Sequence, residues 1–523
     1  MAGFIAVLLR GLALSGQSVA IGAVAFALLV LMPAARGEPD RRRLLGRVLT
    51  VAALGAAVAA AAHALWLVIQ LGVLSDTSGW PLRQVLATGY VQMSLLRILC
   101  CLGLVGSGLW LRGQERVERA WPWLAALAVA IAAGGAATSH AAGRLEHRAL
   151  LLGLDFAHQL AVGVWVGGLI SLIVAAFPLS ERPWSLRLLK RFSATALTAV
   201  TTLVLTGAGL TAFYGDGLSG LIGTAYGMMV VTKIAVLAGL LVLGALNFAV
   251  VRRLPAGSPV SRAELQRFVE VEFGLGVTVL FAAASLTSIP PAVDVIADRA
   301  SIAEVVTRFT PRWPTFASPR LEDMPLAERD APRNAADRAW SEFNHHASGI
   351  LVVAMGVLAL LHATGRAGWA RHWPLVFFAL GTFVLLRSDP ATWPLGPYGF
   401  WESFIFAEVV QHRLFVVLIF AFGAFEWMVR TGRLRSPRCA LVFPMLAVVG
   451  GGLLLTHSHA ALNLKEEFLI EVTHAPLGVL ALVVGWSRWL ELRLPTGATR
   501  LPGRLWPAAL AVIGLLLLFY RES

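Results

Sequence analysis

Long apolar runs alternate with short polar segments along the whole chain. At about 1.5 Å per residue, helices formed by most of these runs would cross the hydrocarbon core of a bilayer, which is about 30 Å thick. A bilayer gives the backbone no hydrogen-bonding partner, so we expect each run to be an α-helix. The pattern predicts an all-α, polytopic membrane protein with about fourteen spans, over residues 4–32, 48–75, 91–111, 121–139, 151–178, 192–214, 224–251, 268–289, 347–364, 373–387, 412–429, 439–456, 468–487 and 504–520. We expect the short span 373–387 to be tilted, kinked or incomplete.

Composition and charge support a membrane protein. The chain of 523 residues is 57% hydrophobic and 14% charged, and its formal net charge is +13. The positive charge lies in short loops between the spans, where it orients helices rather than binding nucleic acid. The basic loops are 36–47, 112–119, 182–191, 252–267, 366–371, 430–438 and 488–504. They alternate with loops poor in Lys and Arg, which predicts that both termini lie outside, in the periplasm of a bacterial inner membrane.

One long connection, about 290–342, mixes Pro, Arg, Asp and Glu with little apolar periodicity. It predicts an eight-helix membrane domain over 1–292, a periplasmic linker over 293–342 and a six-helix membrane domain over 343–523.

A short motif occurs twice: Ser-His-Ala-Ala, followed one loop later by an acidic residue three positions before a histidine. The first copy contains Ser139, His140, Asp155 and His158, and the second contains Ser458, His459, Glu471 and His474. An acid and a histidine at this spacing share one face of a helix, so each copy could hold a cation at a membrane edge. We interpret the copies as related halves of one site, and less firmly as two equivalent sites.

A second repeat lies in the first half of the chain. Thr88, Tyr90, Met93 and Arg97 match Thr224, Tyr226, Met229 and Lys233 at a constant offset of 136 residues. An offset that covers four spans preserves orientation, so the match predicts a parallel 4+4 duplication.

The predicted topology places nine of the twelve histidines at or near the outer ends of spans: His140, His147, His158, His345, His346, His412, His457, His459 and His474. His63 lies in mid-membrane, while His362 and His372 flank an inner loop. Gathering imidazoles on one face suits metal binding, although an interfacial histidine also serves as a hydrogen-bonding anchor.

Two acids and two methionines complete the candidate metal ligands. Asp155 and Glu471 lie within their spans, where each is either a ligand, an orienting partner of a metal-bound imidazole, or a structural partner of a histidine. Met93 and Met229 open their spans from the outside, and thioether with imidazole suits copper, especially Cu(I). Methionine is also a common packing residue.

Several motifs are missing from the sequence. It contains no GxxxxGK[ST], HExxH or GxSxG, and no GxGxxG that opens a helix after a strand. ATP-driven pumping and hydrolase chemistry therefore lack support, and we expect no enzyme activity.

Five segments follow one another over about 150–292: Asp155-Phe-Ala-His158, Val164-Trp165-Val166-Gly167-Gly168-Leu169, Arg191-Phe192-Ser193 leading to Thr206-Gly207, the block 224–233, and Leu286-Thr287-Ser288-Ile289-Pro290-Pro291. In this order they resemble the CopD/PcoD copper-resistance membrane protein family. The C-terminal part resembles the long form of that family at Phe343-Asn344-His345-His346, the loop 387–402, Gln411-His412-Arg413 and Thr456-His457-Ser458-His459. The resemblance implies an inner-membrane protein that handles copper, with import as the expected direction and a small periplasmic copper carrier as a partner.

Three functions follow from these observations. The leading hypothesis is a copper permease in which copper meets His140, His147, His457 and His459 before the deeper histidines. The second is a b-type haem electron-transfer protein or metalloreductase, with axial ligands drawn from His158, His474, His412 and His346. The third is a copper-delivery scaffold that docks a periplasmic carrier on the connection 290–342.

Overall fold

The computed structural model describes residues 2–112, 114, 117–175, 177, 185–253, 259–324, 334–456, 465–495 and 497–522. Within these residues, fourteen helices are long and apolar enough to cross a membrane, which confirms the predicted all-α polytopic fold. They are α1 (Ile5–Ala34), α2 (Arg41–Ser78), α3 (Gly89–Leu111), α4 (Glu118–Ala137), α5 (Arg148–Ala175), α6 (Ser185–Tyr214), α7 (Ala225–Arg252), α8 (Ala263–Leu286), α9 (Ala335–Ala363), α10 (Gly368–Arg387), α11 (Val409–Arg430), α12 (Cys439–Thr456), α13 (Glu471–Arg493) and α14 (Arg500–Leu518).

Several helices begin earlier than their apolar runs predict. Helices α2, α6 and α9 start seven to twelve residues before the predicted positions 48, 192 and 347. Their first turns are rich in polar residues that form helices well in water or at a headgroup surface. Asn334 caps α9 by accepting hydrogen bonds from the backbone N–H groups of Ala336 and Asp337, so this helix begins outside its apolar run.

The chain divides into two compact units, each described by itself. Unit 1 comprises Met1–Arg299 and Thr456–Leu464, and unit 2 comprises Ala300–Leu455 and Lys465–Ser523. Helices α1 to α8 belong to unit 1, and α9 to α14 form the body of unit 2. The division into domains over 1–292, 293–342 and 343–523 stays a prediction.

Helix α1 is the centre of unit 1. It packs against α2, α8 and the π-helical segment Gly163–Gly167 of α5. At the α1–α2 contact, a Cβ added to Gly16 would lie 2.6 Å from the carbonyl oxygen of Gly55. Only glycine permits this backbone approach, which is a typical way for membrane helices to associate through dispersion contacts.

In unit 2, α9 packs along α14, and aromatic rings fill the core at one end. The Trp373 ring lies 5.6 Å from that of Phe443 and 5.8 Å from that of Trp506. Helix α10 is irregular, because it opens as a 3₁₀ segment, Gly368–Leu375, before becoming α-helical over Val376–Arg387.

The predicted linker 293–342 contains more regular structure than its sequence indicates. An amphipathic helix covers Ile302–Phe309, and Ser301 and Glu304 form a capping box at its start. Arg308 donates to the carbonyl oxygen of Glu522 over 2.7 Å, so this segment holds the end of the chain within unit 2.

The threonines of the predicted 4+4 repeat have the same local role. The Thr88 hydroxyl accepts from the backbone N–H of Val91, and the Thr224 hydroxyl accepts from that of Gly227, at the starts of α3 and α7. This shared cap fits a duplication, which stays a prediction.

Candidate functional site

The polar core of unit 1 is organised around the predicted pair on α5. Asp155 and His158 are half-buried on one face of this helix. The helix starts after His147, whose backbone is left-handed at a φ of 53°. Although the two side chains are neighbours, they make hydrogen bonds to different elements.

His158 is hydrogen-bonded to α6. Its Nδ1 lies 3.0 Å from the hydroxyl oxygen of Thr206, and that hydroxyl also lies 2.7 Å from the carbonyl oxygen of Thr202. With the single hydroxyl proton directed at Thr202, Nδ1 carries the proton that it shares with Thr206, and the lone pair is on Nε2. This is the arrangement by which proteins orient a metal-binding imidazole.

Glycine makes room for this ring. A Cβ added to Gly207, next to Thr206, would lie 3.3 Å from Cε1 of His158. A larger residue there would press on the imidazole edge, so α6 sets the position of the His158 ring.

A chain of polar side chains connects Asp155 with α3. Gln159 donates to Oδ2 of Asp155 over 3.0 Å and accepts from the side chain of Gln17 over 2.9 Å. Gln17 in turn accepts from the Arg97 guanidinium. The chain crosses α5, α1 and α3, and it satisfies polar groups that are costly to leave unpaired in a membrane.

Two cations of the predicted repeat compensate the charge of Asp155. Arg97 on α3 and Lys233 on α7 both interact electrostatically with this carboxylate. Met93 and Met229 lie one helical turn before these cations, on the same faces. Met229 is buried and Met93 is half-buried. Sequence reasoning missed Gln17 and Gln159, although a glutamine inside an apolar span was an available signal.

His140 follows Ser139, which caps the short helix His140–Gly143. Burial lowers the pKa of His140, and the charges of Arg10 and Arg144 lower it further, against a hydrogen bond to the backbone of Leu286 and the charge of Asp294. Its Nε2 atom is buried and has no hydrogen-bond partner among the described residues.

Two other histidines of unit 1, His147 and His63, have different neighbours. His147 packs its ring against Phe213 at 5.4 Å between centroids. His63, in mid-span on α2, is 7% exposed, and its Nε2 has no hydrogen-bond partner in the described part of the chain. Arg97 and Arg10 both interact electrostatically with His63.

In unit 2, His345 and His346 have different roles. His345 donates from Nδ1 to the carbonyl oxygen of Ser341 over 2.8 Å, and its ring stacks on Tyr520 at 4.1 Å. His346 is fully buried, accepts at Nδ1 from the backbone N–H of Thr315 over 3.1 Å, and donates from Nε2 to the carbonyl oxygen of Tyr520 over 2.9 Å. Both ring nitrogens of His346 are therefore occupied.

The second acid–histidine pair lies at the start of α13. Glu471 is buried and His474 is half-buried, and both make interactions with other groups. His345 interacts electrostatically with His474, which brings these two predicted residues into one neighbourhood.

His412 on α11 has a carboxylate partner that sequence reasoning did not include in the site. Its Nδ1 lies 2.8 Å from Oδ1 of Asp389, whose Oδ2 accepts from the Ser388 hydroxyl over 2.9 Å. Burial alone would raise the pKa of Asp389, but His412, Ser388 and Arg413 together hold it below its ordinary value. A carboxylate on one imidazole nitrogen is the usual way to orient the other nitrogen.

The predicted ligands are not gathered into one described cluster. Among the residues that the structure describes, no group of three or more His, Cys, Asp or Glu side chains is arranged to hold a metal ion. His457 and His459 lie outside the described residues. Of the others, His140, His147, Asp155, His158, Met93 and Met229 belong to unit 1, and His345, His346, His412, Glu471 and His474 belong to unit 2.

Fourteen apolar helices with ionisable groups inside them define a multi-pass α-helical membrane protein. The family model described as Copper resistance protein D matches residues 186–286. This match and the relative described next confirm the sequence-based resemblance to the CopD family over part of the chain.

The chain is 31% identical over 158 residues to a protein of Bacillus subtilis (strain 168) described as Copper transport protein CutJ. The matched region is 29% of this chain and 28% of that relative, so little more than a quarter of the relative is covered. No solved structure matches the chain.

Proposed function

We propose that this protein binds copper at the outer face of a bacterial inner membrane and imports it, taking it from a small periplasmic carrier. The observation that carries the proposal is the hydrogen bond of His158 Nδ1 to Thr206, which leaves Nε2 for a metal ion on the helical face that also carries Asp155. The descriptions of the matching family and relative, copper resistance and copper transport, support copper as the cargo and transport rather than enzyme activity.

The unit 1 site contains His158 as its central ligand. Asp155 lies on the same helical face, and Met93 and Met229 add thioethers that suit Cu(I). His140 and His147 precede α5 and would meet copper first. Since Asp155 already interacts with Arg97 and Lys233 and accepts from Gln159, we assign the carboxylate to charge balance in the site more readily than to direct binding of the ion.

The unit 2 site contains His345, His474 and Glu471, with His412 held by Asp389. We leave His346 out of this site, because both of its ring nitrogens are in hydrogen bonds to the backbone. His457 and His459 stay proposed copper ligands of the outer face, and they are assigned to neither of these two sites.

The test is bound copper and copper uptake for wild type beside His158→Ala and His474→Ala. Each variant should lose bound copper and most of its uptake. His372→Ala is the matched control, because His372 accepts from the Trp427 indole over 2.9 Å near the end of α11 remote from His412. If His158→Ala and His474→Ala both retain wild-type copper and uptake, the proposed sites are wrong.

Direction is tested in vesicles of defined orientation. Import predicts that copper supplied at the face carrying His140 accumulates inside, and that a copper-loaded periplasmic carrier delivers it faster than the free ion. Accumulation only from the opposite face would show export.

The haem alternative is tested by a visible spectrum of the purified protein. A Soret band with reducible α-bands, lost in His158→Ala or His474→Ala, would favour haem over copper import. His346 is a poor axial ligand, because its Nε2 donates to the carbonyl oxygen of Tyr520.

A delivery scaffold is favoured by one feature of the predicted linker, where Trp313 is 85% exposed and Phe316 is 56% exposed. Deleting this segment would also remove Arg308 and Arg312, which contact the end of the chain and Glu342. The sharper test is Trp313→Ser with Phe316→Ser, which should weaken carrier binding and leave uptake of free copper intact if the segment is the docking surface.

A further inference from the structure

A buried carboxyl group that is not among the proposed copper ligands lies inside unit 1. Glu272 on α8 is 4% exposed, and it is nine residues, or about 14 Å along the helix, from the start of that span at Ala263. Glu270, two residues earlier, pairs with Arg267 over 2.5 Å, whereas Glu272 accepts hydrogen bonds from uncharged groups.

Two neutral groups hold the Glu272 carboxylate. The Trp165 indole donates to Oε1 over 2.9 Å, and the Asn247 amide donates to Oε2 over 2.8 Å. Trp165 lies in the π-helical segment Gly163–Gly167, an irregularity of the kind that occurs frequently at functional sites. Neither partner carries a charge that would offset an ionised acid in the membrane.

The side-chain oxygen of Asn247, next to Glu272, has no hydrogen-bond partner among the described residues. Asn247 is 7% exposed, and this Oδ1 atom is buried. A half-turn of the amide about its last side-chain bond would bring Oδ1 to the position of Nδ2. In that orientation Asn247 would accept a hydrogen bond from a protonated Glu272, while in the present one it donates to the carboxylate.

The charged groups on α8 and on the helices packed against it either have other partners or lie several helical turns from Glu272. On α8 itself, Arg267 and Glu270 pair with each other, and Glu264 precedes them. On α1, Arg10 donates to the carbonyl oxygen of Thr287 over 2.6 Å, near the other end of α8.

The charged groups of α7 and α5 also lie several helical turns from the partners of Glu272 or have other contacts. Lys233 is fourteen residues, about 21 Å, before Asn247 on α7, and Arg252 lies over the Phe248 ring at 5.7 Å. On α5, residues 163–175 contain no titratable side chain, and Asp155 lies about 15 Å before Trp165.

We propose that Glu272 is a proton-binding site inside the membrane, where Asn247 turns its amide to hold either protonation state. Protonation converts the carboxylate to a carboxylic acid whose O–H donates to Asn247 Oδ1, and deprotonation restores the present arrangement. This role rests on the proposed transport function: the site would take up or release a proton as copper is transported.

Infrared spectroscopy of the copper-free protein in lipid tests proton binding directly. Wild type should show a carboxylic-acid C=O band whose intensity changes between about pH 5 and about pH 9, and E272Q should lose it. The matched control is E270Q, which removes a carboxyl two residues away and should keep the band. A band that persists in E272Q, or that does not change with pH, overturns the proposal.

Variants of the two partners give an independent readout if E272Q does not fold. Asn247→Leu and Trp165→Phe each remove one hydrogen bond to Glu272 and should shift the frequency of the same band. An unshifted band in both variants counts against the site.

Coupling is measured separately, as copper uptake into proteoliposomes with and without an imposed pH gradient. E272Q should abolish the response to the gradient while E270Q retains it. The infrared result needs no copper, so failure of copper transport with an intact titrating band would overturn the transport function alone.

Discussion

Nδ1 of His158 lies 3.0 Å from the Thr206 hydroxyl oxygen, and this hydrogen bond links α5 to α6. The bond occupies Nδ1 and leaves Nε2 for the proposed copper ion. We therefore expect Thr206→Val to weaken copper binding roughly ten- to a hundredfold, as loss of an orienting partner does in other metal sites. Thr206→Ser should restore the affinity, and copper titration of the purified variants measures it.

The control for this prediction is Thr201→Val on the same helix. The Thr201 hydroxyl donates to the carbonyl oxygen of Leu197 and is exposed, so its loss should leave copper affinity unchanged. Equal weakening in both variants would show a general effect on α6 instead of an effect on the His158 tautomer.

The chain from Asp155 to Arg97 predicts a stability defect that is distinct from copper binding. Gln17→Leu removes the acceptor of Arg97 and the donor to Gln159, and we expect a loss of about 1–3 kcal/mol for the groups left unpaired. Thermal unfolding in detergent gives the change, and exposed Gln92→Leu is the control. The double variant with Gln159→Leu should be less destabilised than the sum, because the two side chains share a hydrogen bond.

His345 and His346 are adjacent in sequence but should behave oppositely. His346→Ala leaves the Tyr520 carbonyl and the Thr315 N–H without their partner, so the free energy of unfolding should fall by about 1–3 kcal/mol per unpaired group, and the unfolding temperature should fall with it. Copper stoichiometry should not change. His345→Ala should lower bound copper with a smaller change in unfolding temperature, and the reverse result would exchange the two roles.

His140 predicts a pH dependence. Its pKa is lowered in the folded protein, first by burial, whereas in the unfolded chain it is about 6.5. A group with a depressed folded pKa stabilises the fold above the unfolded value and loses that contribution as the pH falls through the folded value. Wild type should therefore lose stability below about pH 6.5, and His140→Ala should lose less over the same range. Identical pH curves would contradict this assignment.

The sequence predicts the helices better than it predicts their ends. Bilayer thickness fixes how many apolar residues a span needs, and all fourteen spans appear. Hydropathy predicts only the apolar part of a helix. Helix α9 begins before its apolar run, at Ala335, because Asn334 caps it there. In the predicted linker, the helix Ile302–Phe309 is too short for a periodic pattern to stand out.

The hydrogen-bond partners of the candidate site residues could not be predicted from the sequence. The spacing of Asp155 and His158 gives their shared face, but their hydrogen-bond partners lie on other helices, and Thr206 is 48 residues from His158. His346 could not be recognised as an anchor, since its partners are backbone atoms of Thr315 and Tyr520 that only folding brings near. The amide of Asn247 beside Glu272 was equally invisible.

The contact of Gly16 with Gly55 has a consequence for how unit 1 can move. At this crossing backbone lies against backbone, so no side chains can repack there, and we expect α1 and α2 to move together. Helices α6 and α7 bury far fewer of their residues than α1 and α2 do. We therefore expect any movement that uncovers His158 to displace α6, which carries Thr206, while α1 and α2 stay in place.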